Sequence, residues 1–140
     1  MRKPDFVIQP QGVPQTERWH LFKIFGAQVA LHRWLLSDSD RALHDHSADN
    51  ISILLWGTYR EIFSHAWEPL QFKLRLPLLP YYRRAETPHR VKLHRGAPVW
   101  TIWIRFKPRR TWGFHCQSGW IPWDKYVDSR DAGKDGKGCD

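Results

Sequence analysis

Residues 41–57 read RALHDHSADNISILLWG. Two histidines, His44 and His46, stand two apart; a polar stretch follows, then an apolar run that closes at Gly57. In an extended chain residues i and i+2 point to the same face, so this pair can converge on one ion. A solvated turn could carry the same two residues, and the spacing alone does not separate the readings. Further on, TPHRVKL (87–93) puts His89 directly after Pro88 and ahead of another strand-like run. A third imidazole from a facing strand would complete a facial set. Neutral imidazole suits Fe, Zn, Ni or Cu, and three protein ligands leave positions open for water, substrate or oxygen.

The chain around these motifs is written in short β-like runs: WHLFKIFG, AQVALHRWLL, ISILLWGTYREIF, LQFKLRLPLL, YYRRAE, HRVKLH and VWTIWIRFK. Gly26, SDSD, Gly57, RGAP and prolines 69, 77, 80, 88 and 108 punctuate them. Runs of this kind predict an antiparallel sandwich or barrel. Alternation is clearest in VWTIWIRF, where Val99, Thr101, Trp103 and Arg105 share one face and Trp100, Ile102, Ile104 and Phe106 the other. No long 3.6-residue period argues for helices.

At 140 residues and 41% apolar content the chain has enough material for one domain with a real core, which excludes a disordered polypeptide. The expected layout is an extended arm over 1–15, in which FVIQP could add an edge strand, a domain over 16–128, and a Gly-rich, charged and disordered tail over 129–140. No apolar run is long enough to cross a bilayer, and MRKPDFVIQP lacks a signal-peptide core, so the expectation is a cytoplasmic protein without membrane contact. Cys116 and Cys139 make no disulfide framework, and Cys139 is expected to be unpaired. The net charge of +8 allows an acidic partner, nucleic acid included. Basic residues filling the outward positions of strands explain it as well, and no nucleic-acid motif accompanies the charge.

LHDHSADNISILLWG and AETPHRV together resemble the two motifs of the cupin superfamily, over roughly residues 28–126. The resemblance implies an all-β fold, a double-stranded β-helix (jelly-roll) barrel with a metal inside. The segment 98–126 is similar to small single-domain cupins of unassigned activity from bacteria and phages, which share a WGF…GW..W ending. Counting back seven from Gly57 puts Asn50 where the family usually has a metal-binding Glu. The implied site is then His44, His46 and His89, with Asn50, or Asp49 if the loop is set one residue off, as a weak fourth ligand. Such a three-His site resembles that of thiol dioxygenases. The resemblance implies one divalent ion, Fe(II) favoured and Zn, Ni or Mn as alternatives, oxygenase-type chemistry on a small molecule, and a homodimer. The alternative is a non-catalytic barrel that binds an acidic ligand or nucleic acid.

Other residues are weighed by face. Asp45, between the two histidines, should point away, either to fix a neighbouring Arg or His or as a solvated loop carboxylate. Tyr59 and Arg60 alternate, and Tyr59 is the better candidate for the interior and for a catalytic role. Arg90, next to an inward ligand, should face outward. Arg83 and Arg84 precede the third His, and one of them could bind a substrate carboxylate or phosphate. Arg41 sits just before the His pair. His115 reads as structural, and Trp112, Phe114, Trp120 and Trp123 as a cover packed on the barrel or on a partner subunit. His20, His32, His65 and His94 have no partner at ligand spacing and receive no role.

Overall fold

The computed structural model describes residues 1–38, 42–64 and 69–140. Arg41 and His65 lie outside the described residues.

Two six-stranded antiparallel sheets form the body. The first sheet takes β1 (Phe6–Ile8), β2 (Thr16–Ile24), β3 (Ala27–Trp34), β5 (Asn50–Trp56), β8 (Pro80–Arg83) and β10 (Val99–Arg105), in the order β1-β2-β3-β10-β5-β8. The second takes β4 (Leu43–His44), β6 (Thr58–Phe63), β7 (Gln71–Arg75), β9 (His89–His94), β11 (Gly113–Cys116) and β12 (Gly119–Pro122), in the order β12-β11-β4-β9-β6-β7. Consecutive strands alternate between the sheets often enough to close a jelly-roll barrel. The arm contributes an edge strand, as FVIQP suggested: Phe6 pairs with Arg18 and Ile8 with Thr16.

Aromatic and β-branched residues fit the pleated surface, and period-two burial sets which of them turn inward. In β10, Val99, Thr101 and Trp103 are buried while Trp100, Ile102 and Ile104 are only partly so. Arg105 continues the inward row. Leu54, Tyr59, Val91 and Val99 pack as a core cluster at one end of the barrel, with Trp34, Tyr81 and Leu93 against it. Toward the other end the inward residues become polar: His32, Asn50, Ser52, Arg83 and His89 are all buried. The interior therefore grades from an apolar plug to a polar chamber.

Two expectations about the C-terminus need correction. Residues 129–140 hold strand β14 (Asp131–Asp135), which pairs with β13 (Val127–Asp128), and β14 also packs against β1. Gln9 N–H donates to the Gly133 carbonyl at 2.6 Å, so backbone hydrogen bonds anchor a segment that has no large apolar residue. Cys139 is not free: it is disulfide-bonded to Cys116 at the end of β11. The single-turn helix α1 (Trp123–Tyr126) lies between these fastenings and buries Tyr126.

Candidate metal centre

Strand β4 is two residues long, held between β11 and β9. His44 lies opposite Phe114 on one side and His89 on the other. Directly opposed residues bring their side chains together on one face. Beyond β4 the chain stays extended, with Asp45 N–H donating to Gly113 O at 3.0 Å and His46 N–H to Ala85 O at 2.9 Å. His46 consequently returns to the face of His44. The three rings gather with centroids 4.7–5.3 Å apart, and one nitrogen of each lies within 4.8 Å of the others. His46 Nε2 and His89 Nε2 are 3.4 Å apart. Two nitrogens bound to one ion at about 2.1 Å stand roughly 3.0–3.4 Å from each other, so this pair is already at ligand spacing.

The electrostatics keep the ligands neutral. Burial lowers the pKa of all three rings: His44 moderately, His46 further, and His89 to about 3. For His46 the other two rings add to the effect of burial, and for His89 the Arg83 guanidinium does. Neutral imidazole is the metal-binding form. Behind His89 lies Glu61, fully buried on β6, with Oε1 2.9 Å from His89 Nδ1. Its other contacts are Arg83 Nε and Arg75 Nε, each donating at 2.6 Å. Burial would raise the Glu61 carboxyl, but Arg83, His89 and Arg75 pull it far below the ordinary range. A carboxylate behind a ligand histidine fixes the ring and raises its basicity.

The remaining candidates separate by face. Asp45 points away from His44 and His46, as expected, and is buried. It accepts from Gly113 N–H (2.7 Å) and Trp120 Nε1 (2.9 Å), pairs with Arg110 (3.0 Å) and lies 2.9 Å from His115 Nε2. His115 thus has a structural partner. Asn50 turns into the barrel and Asp49 does not. Asn50 is fully buried, with its Oδ1 accepting from Arg83 Nη1 at 2.8 Å. Asp49 accepts from Ala85 N–H, Tyr82 Oη and Arg109 Nη2 on the outside, bonds that hold its pKa at about 2. Arg83 is buried and committed to Glu61 and Asn50, whereas Arg84 is exposed and, among the described residues, reaches only Glu86, at 3.9 Å. Tyr59 is buried and lines the chamber, and burial raises its hydroxyl to about 12.

A cavity of about 410 Å³ connects these groups. Its mouth is roofed by the C-terminal aromatics: Trp112 stacks on Trp123 at 6.0 Å and Phe114 on Tyr126 at 3.6 Å. Trp120 is tied to Asp45 instead. The wall facing the histidines holds residues the sequence did not single out. Asp38, from the SDSD break, accepts Val91 N–H and Gln15 Nε2, both at 2.7 Å, and its carboxyl is raised by burial. Arg18 and His32, directly paired across β2 and β3, are hydrogen-bonded at 2.9 Å. His32, given no role from spacing, is buried in the chamber and serves as the acceptor for Arg18. Inward parity within β2 and β3 was the one signal in the sequence that pointed to these two.

No helix among the described residues is long and apolar enough to cross a membrane. No protein-family profile matches the chain, and no curated protein does. Solved structures do match. Hydroxypropylphosphonic acid epoxidase from S. wedmorenis aligns with 76% of this chain and 58% of its own, at 15% identity and a TM-score of 0.56. A cupin superfamily protein from Desulfitobacterium hafniense DCB-2 aligns with 66% of this chain and 78% of its own, at 16% identity and a TM-score of 0.52. A cupin-2 domain protein from Shewanella frigidimarina is similar at 16% identity and a TM-score of 0.52, with 66% and 80% covered. The chain spans about half the length of the Fe(II)-HppE structures it matches, 51% for the one with (S)-1-HPP as alternative substrate. At these identities the likeness establishes the fold, and that fold, with a three-His group inside two antiparallel sheets, is the cupin β-barrel.

Proposed function

We propose that the protein is a mononuclear metal-dependent cupin enzyme, an Fe(II) oxygenase-type oxidoreductase acting on a small molecule. The observation that carries this reading is the convergence of His44, His46 and His89 on the lining of one cavity. The donor set fits a divalent ion: three imidazoles held neutral, two of them already at ligand spacing, and His46 Nδ1 buried without a partner. Fe(II) held there would supply open positions at which O₂ and substrate meet. Zn, Ni or Mn would fit the same nitrogens. The chain's own residues do the rest. Glu61 orients His89, the Trp112–Trp123 and Phe114–Tyr126 stacks limit water at the mouth, and Tyr59, protonated at neutral pH, offers a hydrogen-bond donor to a ligand. Asn50, as a weak neutral fourth ligand, would have to leave Arg83.

Protein purified anaerobically should carry about one ion per chain, and His44→Ala or His89→Ala should lose it. Oxygen-consumption screening with small thiols and other small substrates then identifies the reaction. Protein free of metal after growth in supplemented medium, with those variants unchanged, would overturn the reading.

A second reading, a non-catalytic barrel for an acidic ligand, is favoured by the net charge of +8 and the cavity arginines. Metal occupancy without turnover of any substrate would favour it. Its nucleic-acid form requires affinity that falls steeply with salt. We also propose a homodimer: edge strand β7 exposes Phe72 and Leu74, edge strand β8 exposes Tyr82, and Leu76, Leu78 and Leu79 between them are exposed too.

A further inference from the structure

The cavity lining carries the cations Arg18, Arg83, Arg105 and Lys134 against the carboxylates Asp38, Asp45 and Asp135. Glu61 is matched by Arg83 and Arg75, and Asp45 by Arg110. Asp38 accepts from the Val91 N–H and the Gln15 amide, with the Arg90 charge nearby. Two further cavity arginines, Arg18 and Arg105, have no carboxylate partner among the described residues. Arg18 gives its Nε to the neutral ring of His32 and lies 4.7 Å over Trp103 and 5.5 Å over Phe6. Arg105 lies 5.9 Å over the same Trp103, and its Nε is buried without a hydrogen-bond partner. Both belong to inward rows, Arg18 beside His32 and Arg105 opposite Asn50.

Burying a guanidinium without an anion is costly, and aromatic faces offset only part of that cost. Two such groups on one ring, in a cavity that also holds a neutral ligand set, are arranged as a receptor is. The His32 acceptor and the Trp103 face fix Arg18 in advance, and its terminal nitrogens have no hydrogen-bond partner among the described residues. Burial and the nearby Arg105 charge lower Arg18 to about 10, so it remains a cation at neutral pH. Arg18, Arg105 and His46 line the same cavity.

From this we infer that Arg18 and Arg105, both against Trp103, form a subsite for the oxyanion group, carboxylate or phosphoryl, of the small molecule that enters the three-His cavity. The inference deepens the enzymatic reading and rests on it for the word substrate; the anion subsite itself needs no metal. It also moves ligand recognition off Arg83, whose hydrogen bonds go to Glu61 and Asn50, and off Arg84, which is exposed.

The test is calorimetric titration of the metal-free full chain with acetate in one arm and inorganic phosphate in the other, at low ionic strength with chloride as the control anion. Saturable binding is expected in at least one arm, and the arm that responds identifies the group. Arg105→Met and Arg18→Met should each weaken it at least tenfold, Arg105→Lys should retain part of it, and Arg60→Met on the exposed face should leave it unchanged. Circular dichroism confirms that each variant is folded, and metal uptake by Arg105→Met should stay at the wild-type level. Failure to bind in both arms, or binding indifferent to Arg105→Met and Arg105→Lys, overturns the inference. Loss of metal from His44→Ala with anion binding retained would leave the subsite standing on its own; an absent metal with a working subsite would count against the enzymatic reading alone.

Discussion

Glu61 shows how one buried carboxylate organises the histidine side of the chamber. It receives Arg83 and Arg75 and backs His89, so Glu61→Gln removes the only anion these groups share among the described residues. Leaving buried charge uncompensated costs about 3–5 kcal/mol, which chemical denaturation of the metal-free variant should report. The same change should weaken metal binding roughly 10–100-fold, since the group behind a ligand histidine sets its orientation. The histidines make a prediction of their own. His32, His46 and His89 are all held well below the ordinary imidazole value by burial. In the unfolded chain they titrate near 6.5, so below that pH the unfolded state takes up more protons than the folded one. Stability is therefore complete above about pH 6.5 and is lost as pH falls toward the folded-state values. Thermal melts of metal-free protein should show a midpoint that drops steadily from pH 7 to pH 5; a flat profile would contradict neutral burial.

Among the elements, β5 shows why a glycine ends the strand. Gly57 has φ +79°, and a Cβ there would come within 2.8 Å of Val99 Cγ2 and 3.2 Å of the Pro98 carbonyl oxygen. The left-handed backbone alone costs a non-glycine residue about 1–2 kcal/mol. Gly57→Ala should lose at least that in denaturation, because Val99 belongs to the core cluster and has little room to give. Counting back from this glycine reaches Asn50 across a bulge, since Trp56 pairs with Trp100 and Leu54 with Thr101, leaving Leu55 as the extra residue. Strand β10 made its inward face legible by alternation, and the structure follows it down to Arg105. What alternation could not say is that Arg105 and Arg18 would share one tryptophan, for the two strands meet only through β3.

Across the whole molecule, the C-terminal segment closes the barrel. The disulfide between Cys116 and Cys139 encloses β12, α1, β13 and β14, and Tyr126 and Gly133 from that segment line the cavity. Closing a loop of this size stabilises by about 3 kcal/mol. Reductant should lower the melting midpoint of the wild type, Cys139→Ser should match the reduced protein and ignore reductant, and hydrogen exchange in 127–135 should rise in both. The apolar edge at β7 and β8 makes a separate claim. Sedimentation should give twice the 16.7 kDa of the chain, and Phe72→Glu should return the monomer; a monomeric wild type refutes the dimer.

The sequence by itself determined the strands, their inward faces and the three histidines, because period-two alternation and i, i+2 spacing are local properties of an extended chain. It also put an amide, Asn50, seven residues before Gly57. Tertiary structure decided what those inward residues meet. That Asn50 and Arg83 answer each other, that Glu61 backs His89, that Asp49 turns outward to Arg109, and that Cys139 finds Cys116 depend on pairings across two sheets and a long connection. Charge compensation in a closed barrel is a property of which strands face one another, and no local pattern carries it.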